Sequence, residues 1–148
     1  MIQHLWTVPC RVTITDQQSN NISLIEVLEE LTVPPPNSRI PLTVAFSPLM
    51  IDLVTLWSRG NPDEPEFGNA RSSLVSPAGE TMIEQVVELD LRERRRFRTI
   101  GRFLGLPLQQ AGTYAWRVEK RQGENATWEE VARVPLEVHV ESPAVLTG

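Results

Sequence analysis

Six arginines fall within eleven residues of this chain, where it reads Arg92-Glu93-Arg94-Arg95-Arg96-Phe97-Arg98-Thr99-Ile100-Gly101-Arg102. A guanidinium is planar, permanently charged and able to hold a carboxylate or phosphate through two parallel hydrogen bonds, so such a cluster is equipped to bind anions. If residues 91–104 are extended, Arg92, Arg94, Arg96, Arg98 and Arg102 share one face. Same-face positions on a strand are about 6.6–6.8 Å apart, which resembles the phosphate spacing of a single nucleic-acid strand. Phe97 and Phe103 fall on the opposite face with Leu91, as core anchors, and are poorly placed to stack bases beside the arginines. The preceding segment offers a competing explanation. Glu80, Glu84, Glu88 and Asp90 share one parity there, opposite Ile83, Val87 and Leu89. A hairpin turning near residues 91–94 would set that acidic stripe beside the arginine stripe, with cross-strand ion pairs each worth about 0.2–1 kcal/mol. On that expectation the stripe mostly neutralises itself. An acidic protein partner then ranks ahead of nucleic acid for whatever charge remains.

Other residues able to do chemistry are sparse. Cys10 is the only thiol and lies on the apolar face of a strand, where a free Cys behaves as a small hydrophobe. His4 is six positions earlier on the same strand, about 20 Å away at 3.3 Å per residue, so the two form no dyad. His139 projects away from Val138 and Val140 and reads as a solvent-facing imidazole. The two His would meet only if the terminal strands were neighbours, and a metal site would still lack its usual three or four ligands. The loop Gly60-Asn61-Pro62-Asp63-Glu64-Pro65-Glu66 carries three carboxylates, yet it lacks the alternating Asp spacing and fixed Gly of a calcium loop. It reads as a solvated acidic loop. Asp52 interrupts an apolar run; burial would raise its pKa unless a cation paired with it, and the expectation is that it lies on a wetter face or caps a neighbour. The chain has no Gly-x-Ser-x-Gly elbow, no Ser-x-x-Lys pair, no phosphate loop and no Gly-x-Gly-x-x-Gly turn. No catalytic residue, cofactor or metal ligand is therefore assigned.

The elements that must position these side chains read mostly with period two, as half-buried strands do. Trp6, Val8, Cys10, Val12 and Ile14 share one face, and Asp16-Gln17-Gln18-Ser19-Asn20-Asn21 supplies turn residues. Further strands are expected at Leu42-Val44-Phe46, Ile83-Gln85-Val87-Leu89, Tyr114-Trp116-Val118 and Val134-Leu136-Val138-Val140. Residues 49–57 are apolar on both faces, as a central covered strand would be. Residues 23–33 are ambiguous. Ser23-Leu24-Ile25-Glu26 matches a capping box with helical spacing behind it, whereas Asn20-Asn21 between apolar runs is hairpin chemistry. The Pro34-Pro35-Pro36 stretch and the Gly60 loop read as connections within one domain spanning 1–148.

The 148 residues suit a single core without a disulfide or metal staple. The net charge of −5 hides an asymmetry: residues 92–102 carry +5, while the rest holds eight basic and eighteen acidic side chains, or −10. An acidic whole argues against a dedicated nucleic-acid binder. No apolar run nears the ~20 residues of a membrane helix, and the N-terminus shows no secretory leader, so a cytoplasmic location is expected.

About eight short strands spaced by turns suggest an antiparallel two-sheet sandwich. Within Gln110-Ala111-Gly112-Thr113-Tyr114-Ala115-Trp116, Tyr114 is placed like the corner tyrosine of immunoglobulin-like sheets, whose hydroxyl bonds back to the backbone. Together with Asn20-Asn21-Ile22-Ser23-Leu24-Ile25-Glu26-Val27 and Leu74-Val75-Ser76-Pro77-Ala78-Gly79-Glu80, this stretch resembles a family of small, uncharacterised bacterial all-β proteins. The resemblance implies an immunoglobulin- or C2-like sandwich, favours a strand over residues 23–33 and transfers no catalytic residue. The function expected is a non-enzymatic protein-interaction or structural module. The alternatives are anion or nucleic-acid binding through the arginine stripe and a carboxylate-dependent hydrolase or isomerase using Asp52. An open sandwich has edges, so homodimerisation is also open to it.

Overall fold

Period-two alternation is realised as nine strands in a computed structural model that describes residues 1–33, 50–106, 108 and 110–140. They are β1 (Gln3–Thr15), β2 (Ile22–Val27), β3 (Glu30–Val33), β4 (Met50–Ser58), β5 (Glu66–Val75), β6 (Thr81–Leu91), β7 (Arg96–Leu104), β8 (Gly112–Arg121) and β9 (Glu129–Val140). One sheet runs β2-β1-β4-β7 and the other β3-β9-β8-β5-β6. Every pairing is antiparallel except β3 with β9, which is parallel. Among the described residues there is no helix, hence none long and apolar enough to cross a membrane. The expected strand at Leu42-Val44-Phe46 lies outside the described residues.

The ambiguity over residues 23–33 resolves as two strands. β2 pairs with β1 through a turn in which the Asp16 carboxylate accepts from the backbone N–H groups of Gln18 and Ser19. Asn20 takes the left-handed conformation, φ 60°, that a short polar side chain tolerates. Leu28 and Glu29 then carry the chain over to the second sheet, where β3 lies at an edge.

The core lies between the sheets. β4 contributes Ile51, Leu53 and Trp57 and β7 contributes Phe103, facing Tyr114, Trp116 and Val118 of β8 and Leu136 and Val138 of β9. Phe103 and Trp116 meet across the layers with ring centroids 4.9 Å apart, a tilted contact worth about 0.5–1.5 kcal/mol beyond the area it buries. Leu89 and Leu91 at the end of β6 fill one side of the core. The corner tyrosine forms as its placement suggests: the Tyr114 hydroxyl donates to the Gln110 carbonyl at 2.8 Å and accepts from the Gln110 N–H at 3.2 Å.

β1 departs from the simple pattern. Its pairing with β4 ends at Cys10 opposite Asp52, and beyond that point, among the described residues, only β2 accompanies it. Cys10 is fully buried, whereas Val12 and Ile14 on the two-stranded ribbon are about half exposed, at 46% and 50%. The apolar face of this strand is thus a core face along only part of its length.

Candidate anion-binding groove

The arginine run is broken in two by the fold. β6 ends at Leu91 and β7 starts at Arg96, so residues 92–95 form a corner rather than continuing an extended stripe. The two strands do not pair as a hairpin, because β6 edges one sheet and β7 edges the other. The expected ladder between the Glu80–Asp90 stripe and the arginines is therefore absent. The physical reason is that Leu89 and Leu91 on one strand and Phe103 on the other enter the same core from opposite layers. The chain must change sheets between them, and a residue the sequence reading passed over makes that possible. Arg59, just after β4, donates from Nε to the Leu91 carbonyl at 2.7 Å and from Nη2 to the Arg92 carbonyl at 2.8 Å. Its Nη1 reaches the Pro62 carbonyl at 2.9 Å, and its backbone N–H reaches the Arg95 carbonyl at 3.0 Å. Carbonyls freed from the sheet ladder at the corner find donors this way.

The five arginines singled out from the sequence then separate into two groups. Arg92 and Arg102 are neutralised. Arg92 holds Asp90 through two bonds of 2.9 Å and lies over the Phe67 ring, 4.7 Å from its centroid. This pairing, together with the Arg92 backbone N–H, holds the Asp90 carboxyl down to about 2. Arg102 donates from Nε to Asp52 at 3.0 Å. Asp52 is 2% exposed, so the expectation of a wetter face is overturned: the register of β4 against β7 places Arg102 directly opposite it and compensates its charge within the sheet. Arg94, Arg96 and Arg98 are different. They line one groove of about 750 Å³ together with Trp6, Leu56, Phe97, Ile100 and the turn that follows β1. Among the described residues, no carboxylate stands within ion-pairing distance of any of the three. Arg98 donates from Nη2 to the Asn20 carbonyl at 3.1 Å, while its Nε–H is sheltered from water and has no acceptor. Arg95 sits beside them and faces Asp63 at 3.8 Å, an exposed pair of little strength.

β2 and β7 lie at opposite edges of their sheet, so the hydrogen bond from Arg98 to Asn20 shows the hairpin turn reaching across the strands between them. One wall of the groove is the sheet; the other is that turn. The arrangement can hold an extended anionic segment, since three arginines line a space flanked by an indole and aliphatic side chains.

Cross-strand neutralisation of the expected kind does occur, but on the outer face of the other sheet. There Arg71 of β5 meets Glu119 of β8 with two bonds of 2.9 Å, and Glu84 of β6 lies 3.9 Å from the same guanidinium. Arg71 and Arg121 both lie over the Trp128 ring, 4.5 and 4.4 Å from its centroid.

The remaining candidates do not converge. His4 bonds Thr7 at 2.7 Å, with its pKa lowered by burial, while His139 lies near Glu30 at 4.0 Å, far along β9. In the acidic loop, Glu66 accepts from the Gly60 N–H at 3.0 Å and Asp63 turns toward Arg95. Among the described residues, no three His, Cys, Asp or Glu side chains are grouped to hold a metal. No protein-family model matches the chain, and no curated protein matches it.

Proposed function

We propose that the protein is a non-catalytic interaction module whose arginine groove takes an acidic segment of a protein partner. The observation that carries this reading is that Arg94, Arg96 and Arg98 line one groove with no carboxylate among the described residues within ion-pairing distance of them. The proposal takes the sandwich as immunoglobulin- or C2-like, supported by the Tyr114 corner, in line with the bacterial family it resembles, and takes the cytoplasm as its place of work. A second reading, a nucleic acid or other phosphate-bearing ligand, is favoured by Trp6, which lines the same groove and offers a ring for stacking. Catalysis by Asp52 is the weakest alternative, since Arg102 holds its carboxylate and it does not line the groove.

Fluorescence anisotropy with a labelled polyglutamate peptide and a labelled single-stranded oligonucleotide of equal length tests both readings. The peptide is expected to bind the more tightly, with affinity falling as salt rises. Arg96→Glu is expected to weaken it on the order of tenfold or more, as loss of a charge-assisted contact does. Tighter binding of the oligonucleotide would favour the phosphate reading, and binding of neither would overturn both.

A further inference from the structure

The acidic segment that the groove takes has a candidate within the chain itself. A second, shallower groove of about 440 Å³ lies where β1 and the end of β2 approach β9. Its floor is apolar, formed by Val8, Pro9, Val27, Leu28, Val134 and Pro135, and its rim carries Glu29, Glu30 and Glu137. Among the described residues β3 is the terminal strand of its sheet, and Glu29 belongs to the connection that leads into it. Glu29 and Glu30 are both exposed, and the His139 imidazole lies 4.0 Å from Glu30.

The arginine corner carries the opposite charge. Arg94, Arg95 and Arg96 project from it, and the hollow beside it is lined by Leu5 and Pro62 together with Arg95 and Arg96. Leu5 and Phe67 are exposed at 42% and 40%, so the corner presents apolar side chains among its cations. Basic groups beside exposed apolar side chains on one surface are opposite in charge to the acidic groups around the apolar floor of the other, the complementarity that steers and orients an encounter.

We infer that the arginine corner of one copy docks against the Glu29–Glu30–Glu137 rim of a second copy. This rests on the proposal that the groove binds an acidic segment, and it identifies that segment. The two surfaces differ, so the contact is heterologous: each copy keeps one unused surface, and association proceeds head to tail. None of Arg94, Arg96, Glu29 and Glu30 belongs to the core, so all four can be altered without removing a buried apolar side chain.

Sedimentation velocity on the full chain provides the test. At about 50 mM salt the protein is expected to sediment as species larger than 16.7 kDa, and at about 500 mM, where the Debye length is well under 10 Å, as the single chain. The double variants Arg94→Glu/Arg96→Glu and Glu29→Arg/Glu30→Arg are each expected to be monomeric at low salt while keeping the β-sheet circular dichroism of the parent. Mixed one to one, they retain complementary unaltered surfaces whose counterparts are both reversed in charge. That mixture is expected to recover species larger than the single chain, because the two charge-reversed surfaces are complementary to each other as well. A wild-type chain that stays monomeric at low salt overturns the inference, as does self-association that survives in either variant. The polyglutamate measurement separates the two levels. Peptide binding by a chain that never self-associates leaves the groove reading standing and removes this one, whereas failure of both removes both.

Discussion

Asp52 shows how far a single residue can be read. Its position inside an apolar run marks it as anomalous, and general electrostatics states the choice before it: stay wet, shift its pKa or find a cation. What resolves the choice is Arg102, fifty positions away in sequence and directly opposite in the β4–β7 register. Asp90 and Arg92 are two residues apart, yet their pairing was equally hidden, because it depends on β6 ending at Leu91. This pair yields a prediction with a definite sign. The folded pKa of Asp90, about 2, lies below its ordinary 3.8, so its ionised form favours the folded state. That contribution is complete above the ordinary carboxylate range and is lost as pH falls from there through about 2. A carboxyl NMR titration is expected to show a midpoint near 2 for Asp90, and Arg92→Ala is expected to return it toward 3.8. An ordinary midpoint in the parent protein would contradict the pairing.

At the scale of elements, the junction between β6 and β7 decides what the arginines can do. Alternation alone cannot tell a hairpin within one sheet from a crossing between two, because both bury the same parity on each strand. The crossing depends on Arg59, whose guanidinium spans the carbonyls of Leu91, Arg92 and Pro62. Arg59→Ala is expected to destabilise the fold by about 1–3 kcal/mol, from the loss of its charge-assisted hydrogen bonds to the corner carbonyls, measured by urea unfolding. It is also expected to weaken polyglutamate binding, since Arg94 and Arg96 are positioned by that corner. Arg59→Lys restores one of the bonds at most, because an ammonium lacks the fixed fork. If Arg59→Ala unfolds at the same urea concentration as the parent, the corner does not depend on this side chain.

Across the whole molecule, the two layers are joined by large side chains rather than by shared strands. Trp57 and Phe103 from one sheet and Tyr114 and Trp116 from the other are each at most 1% exposed. Phe103→Ala is expected to cost about 3–5 kcal/mol, as removing a buried aromatic ring does, and to keep a single cooperative unfolding transition. Two separate transitions, in near-ultraviolet circular dichroism and in tryptophan fluorescence, would show that the sheets fold independently. The charge asymmetry also belongs to this scale: an acidic body carries a basic corner, and the distance between the two determines whether they meet within one copy or between copies.

Much of the architecture was determined by the sequence alone. Alternation in Tyr114-Trp116-Val118 and Leu136-Val138 selects strands with one buried face, because side chains on an extended backbone alternate between its sides. Doubly apolar β4 announces a central strand, and Gln110 to Tyr114 announces its corner, since each depends on neighbours close along the chain. Only the tertiary structure decided which sheet each strand joins, that β3 runs parallel to β9, that Asp52 is buried against Arg102, and that Arg94, Arg96 and Arg98 are left facing a groove. These are all pairings between distant segments. Local alternation states which face of a strand is buried, but not what lies on the other side of it.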